Sequence, residues 1–170
     1  MMTADTHTTS QILLVCAMIM YLGGILLTFR PLFPAVIPTY CGMWLLKLSG
    51  FAAISGSTML WWGVASAIVV GLIYLLPRDI SSSRRGLGYI AAGTLAGAAV
   101  GAIASTITSI IAGAVVGALL GTLAYSRTAD GRELATAGNR FVNYAMAKAM
   151  PAVINFTMTA IGALYIALIL

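Results

Sequence analysis

Apolar residues in this chain do not alternate with polar ones; they run on in long blocks that break only at short polar segments. A continuous apolar block reads as a membrane-spanning helix when it reaches about 20 residues, enough to cover the roughly 30 Å hydrocarbon layer. The blocks fall at about 11–29, 33–51, 58–76, 88–104, 107–125 and 152–170, with polar stretches at 77–87 and 126–150. This pattern predicts an all-α integral membrane protein in which residues 1–170 form a single transmembrane domain of five or six short transmembrane or re-entrant helices. Residues 1–10 are polar and lack a basic leader region, so the first block is expected to remain as an anchor. It closes at Arg30, and Pro31, Pro34 and Pro38 forbid its continuation. Residues 33–51 are interrupted by Lys47, which leaves a short span, a re-entrant half-helix and an interfacial helix all open. Snorkelling of Lys47 to the headgroups is preferred to a buried functional role. The block 58–76 carries Trp61 and Trp62 near one end and Tyr74 near the other, the arrangement of interfacial belts.

Within the apolar run after residue 86, Gly93, Gly97, Gly101, Ser105, Ser109, Gly113, Gly117 and Gly121 recur at unbroken four-residue intervals. Residues without bulky side chains at this spacing let backbones approach, which is how helices associate where lipid removes the hydrophobic drive. One helix from Gly88 to Tyr125 would be roughly 57 Å long, too long for a single crossing. A four-residue step also turns about 40° around a helix, so Gly97 and Gly117 would face opposite ways on a continuous rod. A break at the hydroxyl cluster Ser105, Thr106, Thr108 and Ser109 resolves both problems. The expectation is a central glycine-zipper helical hairpin, 88–104 and 107–125, packed through Gly93, Gly97, Gly101, Gly113, Gly117 and Gly121. A packing seam is preferred to a pore lined by the same glycines.

In the second polar stretch Asp130 can cap a helix, with Glu133 at the capping-box position. At helical spacing Leu134, Phe141, Val142 and Ala145 share a side opposite Arg132, Thr136, Asn139 and Asn143. This predicts a basic amphipathic surface helix over 131–150, ended by Pro151. Arg78, Arg84 and Arg85 in one loop, and Arg127, Arg132, Arg140 and Lys148 in the other, place 77–87 and 126–150 in the cytoplasm by the positive-inside rule. A hairpin between two loops on one side must start and finish there.

Composition sharpens the class. The chain is 61% hydrophobic and 8% charged with a mean hydropathy of +1.01, whereas soluble domains carry about 25% charged residues. The net charge of +5 is spread over helix ends, which suits anionic headgroups and not nucleic acid. Cys16 and Cys41 sit in apolar stretches and are expected to be buried, inert thiols. All four acids, Asp5, Asp79, Asp130 and Glu133, fall in polar segments, so a carboxylate-driven pump is disfavoured. The one histidine, His7, is in the N-terminal tail, away from any nucleophile it could activate. An enzyme is therefore not expected, nor a cofactor or metal site. The polar residues left for a solute path or interhelical contacts are Ser66, Ser105, Ser109, Asn155 and Thr159, with Thr157 beside them. Interhelical hydrogen bonding is the preferred role for Asn155, ahead of solute coordination with Thr159 one turn away.

The proline-rich break at Pro31–Pro38, the turn of serines and arginines from Ser81 to Gly86, the paired glycine stretches and the final amphipathic helix plus span together resemble a bacterial group of small membrane proteins known as domain of unknown function 456. The resemblance covers most of the chain from about residue 30 onward; Ser105–Ser109 stands where that group has a Gly-Pro break, and Phe and Ala follow the first prolines where it has Gly. It implies an integral protein of the bacterial inner membrane and carries no functional residue with it. The sequence thus points to a non-enzymatic scaffold with the lipid bilayer, further copies of itself or a membrane complex as partners. The alternative is a small channel or facilitator for ions or small solutes.

Overall fold

The computed structural model of the chain describes residues 2–30, 34–75, 86–104, 106–135 and 139–168, and all regular structure among them is helical. In chain order the helices are α1 (Met2–Thr28), α2 (Val36–Leu48), α3 (Gly56–Leu75), α4 (Leu87–Ile103), α5 (Ile107–Ser126), α6 (Ala129–Ala135) and α7 (Asn139–Ala167). Four segments are long and apolar enough to cross a membrane: His7–Thr28, Gly56–Leu75, Ile107–Ser126 and Met146–Ala167. The apolar helices α2 and α4 are shorter, at 13 and 17 residues.

Local chemistry sets the helix ends. Pro38 is tolerated within the first turn of α2, where its missing N–H would have had no helical partner. The chain leaves α2 through Gly50, whose φ of 77° favours a residue without Cβ. The Ser55 hydroxyl accepts the Thr58 amide at 3.1 Å and caps α3. Gly86, at φ 71°, opens α4 beneath the rings of Tyr125 and Tyr144, in space that a Cβ would fill. Thr106 adopts an extended conformation and accepts the Ser109 amide at 3.2 Å, so α5 starts as a new helix and not as a continuation of α4.

Three local expectations are corrected. First, the polar N-terminal tail is helical: α1 begins at Met2, and its apolar span begins at His7. Second, Pro151 does not end a helix: α7, described from Asn139, continues through Pro151 to Ala167, while residues 136–138 of the expected surface helix over 131–150 lie outside the described residues. Proline removes one backbone donor, the one that would have served Ala147, and membrane helices tolerate this where adjacent helices close around the site; both Ala147 and Ala152 are buried. Third, Thr128 and not Asp130 caps α6, its hydroxyl accepting the Gly131 amide at 3.2 Å, while Asp130 lies in the first turn. The expected pairing of Leu134, Phe141 and Ala145 on one face, and the loop 77–85, lie outside the described side chains.

The helices are arranged around α7, which touches each of the other six. On one side α1 and α2 pack antiparallel: Gly42 faces the Ala17 carbonyl, and Gly24 faces Thr39. α3 joins this side through Tyr40, whose hydroxyl donates to the Met59 carbonyl at 3.1 Å over the bare Cα of Gly63. On the other side α4 and α5 make the most extensive pairing in the molecule. A Cβ on Gly97 would lie 2.0 Å from the Gly113 carbonyl oxygen, and one on Gly113 would lie 2.2 Å from that of Gly97. Gly93 and Gly117 oppose each other in the same way, at 2.4 and 2.1 Å, while Gly121 meets Tyr89 and Gly101 meets Ser109. Each four-residue step along α4 thus meets a four-residue step back along α5, with backbone against backbone at every one.

Outward, the surface is apolar. Trp61 (71% exposed), Leu75 (84%) and Ile103 (82%) face away from the protein, as do Val100, Leu119, Leu120 and Leu123. Polar Thr39, Thr94 and Asn155 are fully buried. Cys41 is exposed on the outer face of α2, correcting the expectation of two buried thiols; Cys16 is half-buried. The side of α2 turned inward is instead taken by Thr39, Gly42, Met43 and Leu46.

If carbonyl-to-glycine contact holds α4 against α5, adding one methyl group must force the arms apart. Gly97→Ala and Gly117→Ala should each destabilise the fold by about 1–3 kcal/mol. Gly71→Ala, where a Cβ meets nothing within 4 Å, should be neutral or stabilising by up to about 1 kcal/mol. Reversible unfolding in mixed micelles compares the three.

Candidate functional site

Among the described residues, the densest buried polar arrangement joins three helices. Asn155 on α7 is fully buried, and its amide nitrogen donates to the Gly24 carbonyl at 3.0 Å and to the Thr28 hydroxyl at 2.5 Å, both on α1. The Thr28 hydroxyl passes its own hydrogen to the Gly24 carbonyl at 2.9 Å. On the other edge of the amide, Thr39 of α2 donates to Asn155 Oδ1, sharing its hydrogen with the Ala35 carbonyl at 3.1 Å. The orientation of the amide follows from the partners, since the Gly24 carbonyl can only accept and so requires the NH₂ edge. Every donor of the Asn155 side chain is used, and its oxygen is engaged. Left unpaired here the amide would carry a desolvation cost of about 1–3 kcal/mol.

Gly24 is what makes the arrangement possible. A Cβ there would lie 1.9 Å from the Thr39 hydroxyl oxygen, so any larger residue would push α2 out of reach of Asn155. Thr28 and Thr39 were not apparent as site residues from the sequence, and neither was Gly24. The signal they offered was a glycine and a threonine one turn apart in an apolar span, and a threonine directly after a proline. Those features are read as local backbone effects until a partner on a distant helix is known.

The other residues singled out in the sequence are dispersed. Thr159 donates to the backbone carbonyl of Asn155 at 2.9 Å; its hydroxyl stays on its own helix while the Asn155 amide points to α1 and α2. The two therefore do not converge on a common space. Ser66 on α3 is buried with its hydroxyl 4.0 Å from the Met158 sulfur. Ser109 donates toward the Gly101 carbonyl at 2.7 Å across the α4–α5 turn, and Ser105 lies outside the described residues. Thr157 is buried, and its hydroxyl has no hydrogen-bond partner among the described residues. Lys47 is half-buried with its ammonium 5.6 Å from the centre of the Trp44 ring. Among the described residues no group of three or more His, Cys, Asp and Glu side chains comes together to hold a metal ion.

A second cluster closes the opposite half of the molecule at the start of α7. Tyr144 stacks on Tyr125 of α5 with ring centres 5.5 Å apart, and Tyr125 in turn meets Tyr89 of α4 at 6.0 Å. Aromatic pairs at such separations add about 0.5–1.5 kcal/mol beyond the area that they bury. Burial, and after it the neighbouring Tyr125, holds the Tyr144 phenol protonated well above the usual tyrosine range.

Two outcomes test these clusters. A double-mutant cycle of Asn155→Leu and Thr39→Val should return a coupling energy of about 0.6–1.7 kcal/mol; additive effects would contradict the bond between them. For Tyr144, a phenol pKa raised in the folded state contributes stability that is complete below the unfolded value of about 10 and is lost as pH rises beyond it. Alkaline unfolding of Tyr144→Phe should accordingly be less steep above about pH 10 than that of the parent chain, and superimposable profiles would contradict the buried phenol. No protein-family model, curated protein or solved structure matches this chain.

Proposed function

We propose that this chain is a non-enzymatic integral membrane protein that serves as a lipid-embedded scaffold, with the α4–α5 pair as a glycine-zipper hairpin at its centre. The observation that carries this reading is the inversion of polarity: large apolar side chains cover the outside, while Asn155, Thr39 and Thr28 are buried and bonded to one another. An apolar exterior on this scale would aggregate in water and suits acyl chains. Because Tyr89 to Gly101 lies alongside Gly121 to Ser109, the shorter arm accompanies a helix that is itself long enough to cross. A crossing by both arms follows, with tilt or local thinning absorbing the mismatch.

With α1 to α5 and α7 each crossing once, chain order sets Arg30, Arg78, Arg84, Arg85, Arg127, Arg132 and Arg140 on one side and Lys47 on the other, while Lys148 is buried within the α7 span. The positive-inside rule makes the first side cytoplasmic in a bacterial inner membrane. Assembly with further copies or other subunits belongs to this reading. The glycine seam is taken up within the chain, so assembly uses outer faces, α3 foremost, since among the described residues its main packing is on α2 and α7.

The scaffold reading is favoured over a channel because the Asn155 amide is satisfied by protein groups and the Thr159 hydroxyl is bonded to its own helix. Purified chain in sealed liposomes should give a particle heavier than the 17.7 kDa protomer and no flux of ions or small solutes. Sustained flux, with cysteines at Ser66 and Asn155 reactive to water-borne reagents, would overturn it in favour of a channel.

A further inference from the structure

The α4–α5 hairpin turns one flank to α7 and leaves another bare, and along that bare flank run two hollows that meet at Leu120. The first, of about 340 Å³, is floored by Gly93, Gly97, Gly113 and Gly117 and edged by Val100 and Val116. The second, of about 310 Å³, continues past Leu123 and Ala124 to Arg127. Val100, Val116, Leu120 and Leu123 are all exposed. Together the hollows make one apolar trough with a cation at its end. Arg127 is exposed at the C-cap of α5 and enters no ion pair among the described residues. Of the two acids nearest it in the chain, Asp130 is also exposed, and the side chain of Glu133 lies outside the described side chains.

From Gly113 to Arg127 the helix rises roughly 21 Å, within the roughly 30 Å hydrocarbon layer. We propose that the trough holds one acyl chain of an anionic phospholipid whose headgroup phosphate pairs with Arg127; this rests on the membrane reading given above. The bare glycines let the acyl chain lie deep against the junction of the two arms, filling a void that would otherwise cost dispersion contacts. A guanidinium meets phosphate with two parallel hydrogen bonds, at the level where α5 leaves the hydrocarbon. Charge favours a lipid over a second copy in the same place. A twofold axis along the membrane normal would bring a second Arg127 to the same end of the interface, in a chain whose net charge is already +5.

The test uses the full chain in nanodiscs of equal phosphatidylglycerol and phosphatidylcholine, released into native mass spectrometry to count the lipids retained. The parent chain should keep phosphatidylglycerol preferentially. Arg127→Gln should lower that preference about fivefold, and Ala96→Phe, which fills the trough from an exposed position on its lining, should lower retention of both lipids. Lys47→Gln and Leu60→Phe, distant in charge and in apolar surface respectively, should leave both unchanged. Equal retention of the two lipids by every variant would overturn the proposal, as would a dimer that carries no lipid or losses as large in the control variants. Incorporation into the nanodisc without any preference overturns the lipid site alone. A chain that does not enter the bilayer overturns the membrane reading with it.

Discussion

Contact between bare backbones is the constraint on which this molecule depends. In hydrocarbon an apolar side chain gains little by exchanging a lipid neighbour for a protein one, so helices stay together only where they fit closely or satisfy a polar group. Gly93, Gly97, Gly113 and Gly117 supply the fit, each lying against a carbonyl of the other arm. The same device recurs at other helix pairs: Gly42 against Ala17, Gly24 under Thr39, Gly63 under Tyr40 and Gly162 against the ring of Tyr21. Glycine weakens a helix by up to about 1 kcal/mol relative to alanine, and here that loss is offset by approach distances no other residue permits.

Close fit alone does not fix which helices pair, and buried polar groups add that selection. α7 is the element both halves share. On one flank its Asn155 amide reaches α1 and α2 together; on the other its Tyr144 ring stacks on Tyr125 of the hairpin. Sliding α7 by one turn would break both at once, leaving an amide in hydrocarbon and a phenol without its stacking partner. The hairpins on its two sides meet each other little, so the relation between them is set by that one helix.

Much of the architecture was legible in the residue pattern because it follows from length and spacing. The separation of α4 from α5 could be argued from the rotation of a four-residue stripe and from the hydroxyl cluster that includes Thr106, which caps α5. What the pattern hid depends on residues far apart in the chain. Pro151 reads as a terminator by its own chemistry, yet α7 passes through it because neighbouring helices enclose that turn. Thr39 reads as a residue at a proline break, and only the arrival of Asn155 across the bundle gives it a role. Asp130 reads as the cap by residue type, yet the Thr128 hydroxyl is the one that takes the Gly131 amide. Asn155 and Thr159, four apart, share a helix face in the pattern, but one side chain turns to its own backbone and the other across to α1, a direction that spacing does not carry.

The central claim, that α4 and α5 touch through their glycine backbones in the bilayer, is tested most directly by solid-state NMR of the chain in lipid. With selective labels, the account predicts a through-space cross-peak between Gly97 Cα and the Gly113 carbonyl carbon, and a matching one between Gly117 Cα and the Gly93 carbonyl carbon. Absence of both, in spectra where sequential contacts are resolved, would contradict it.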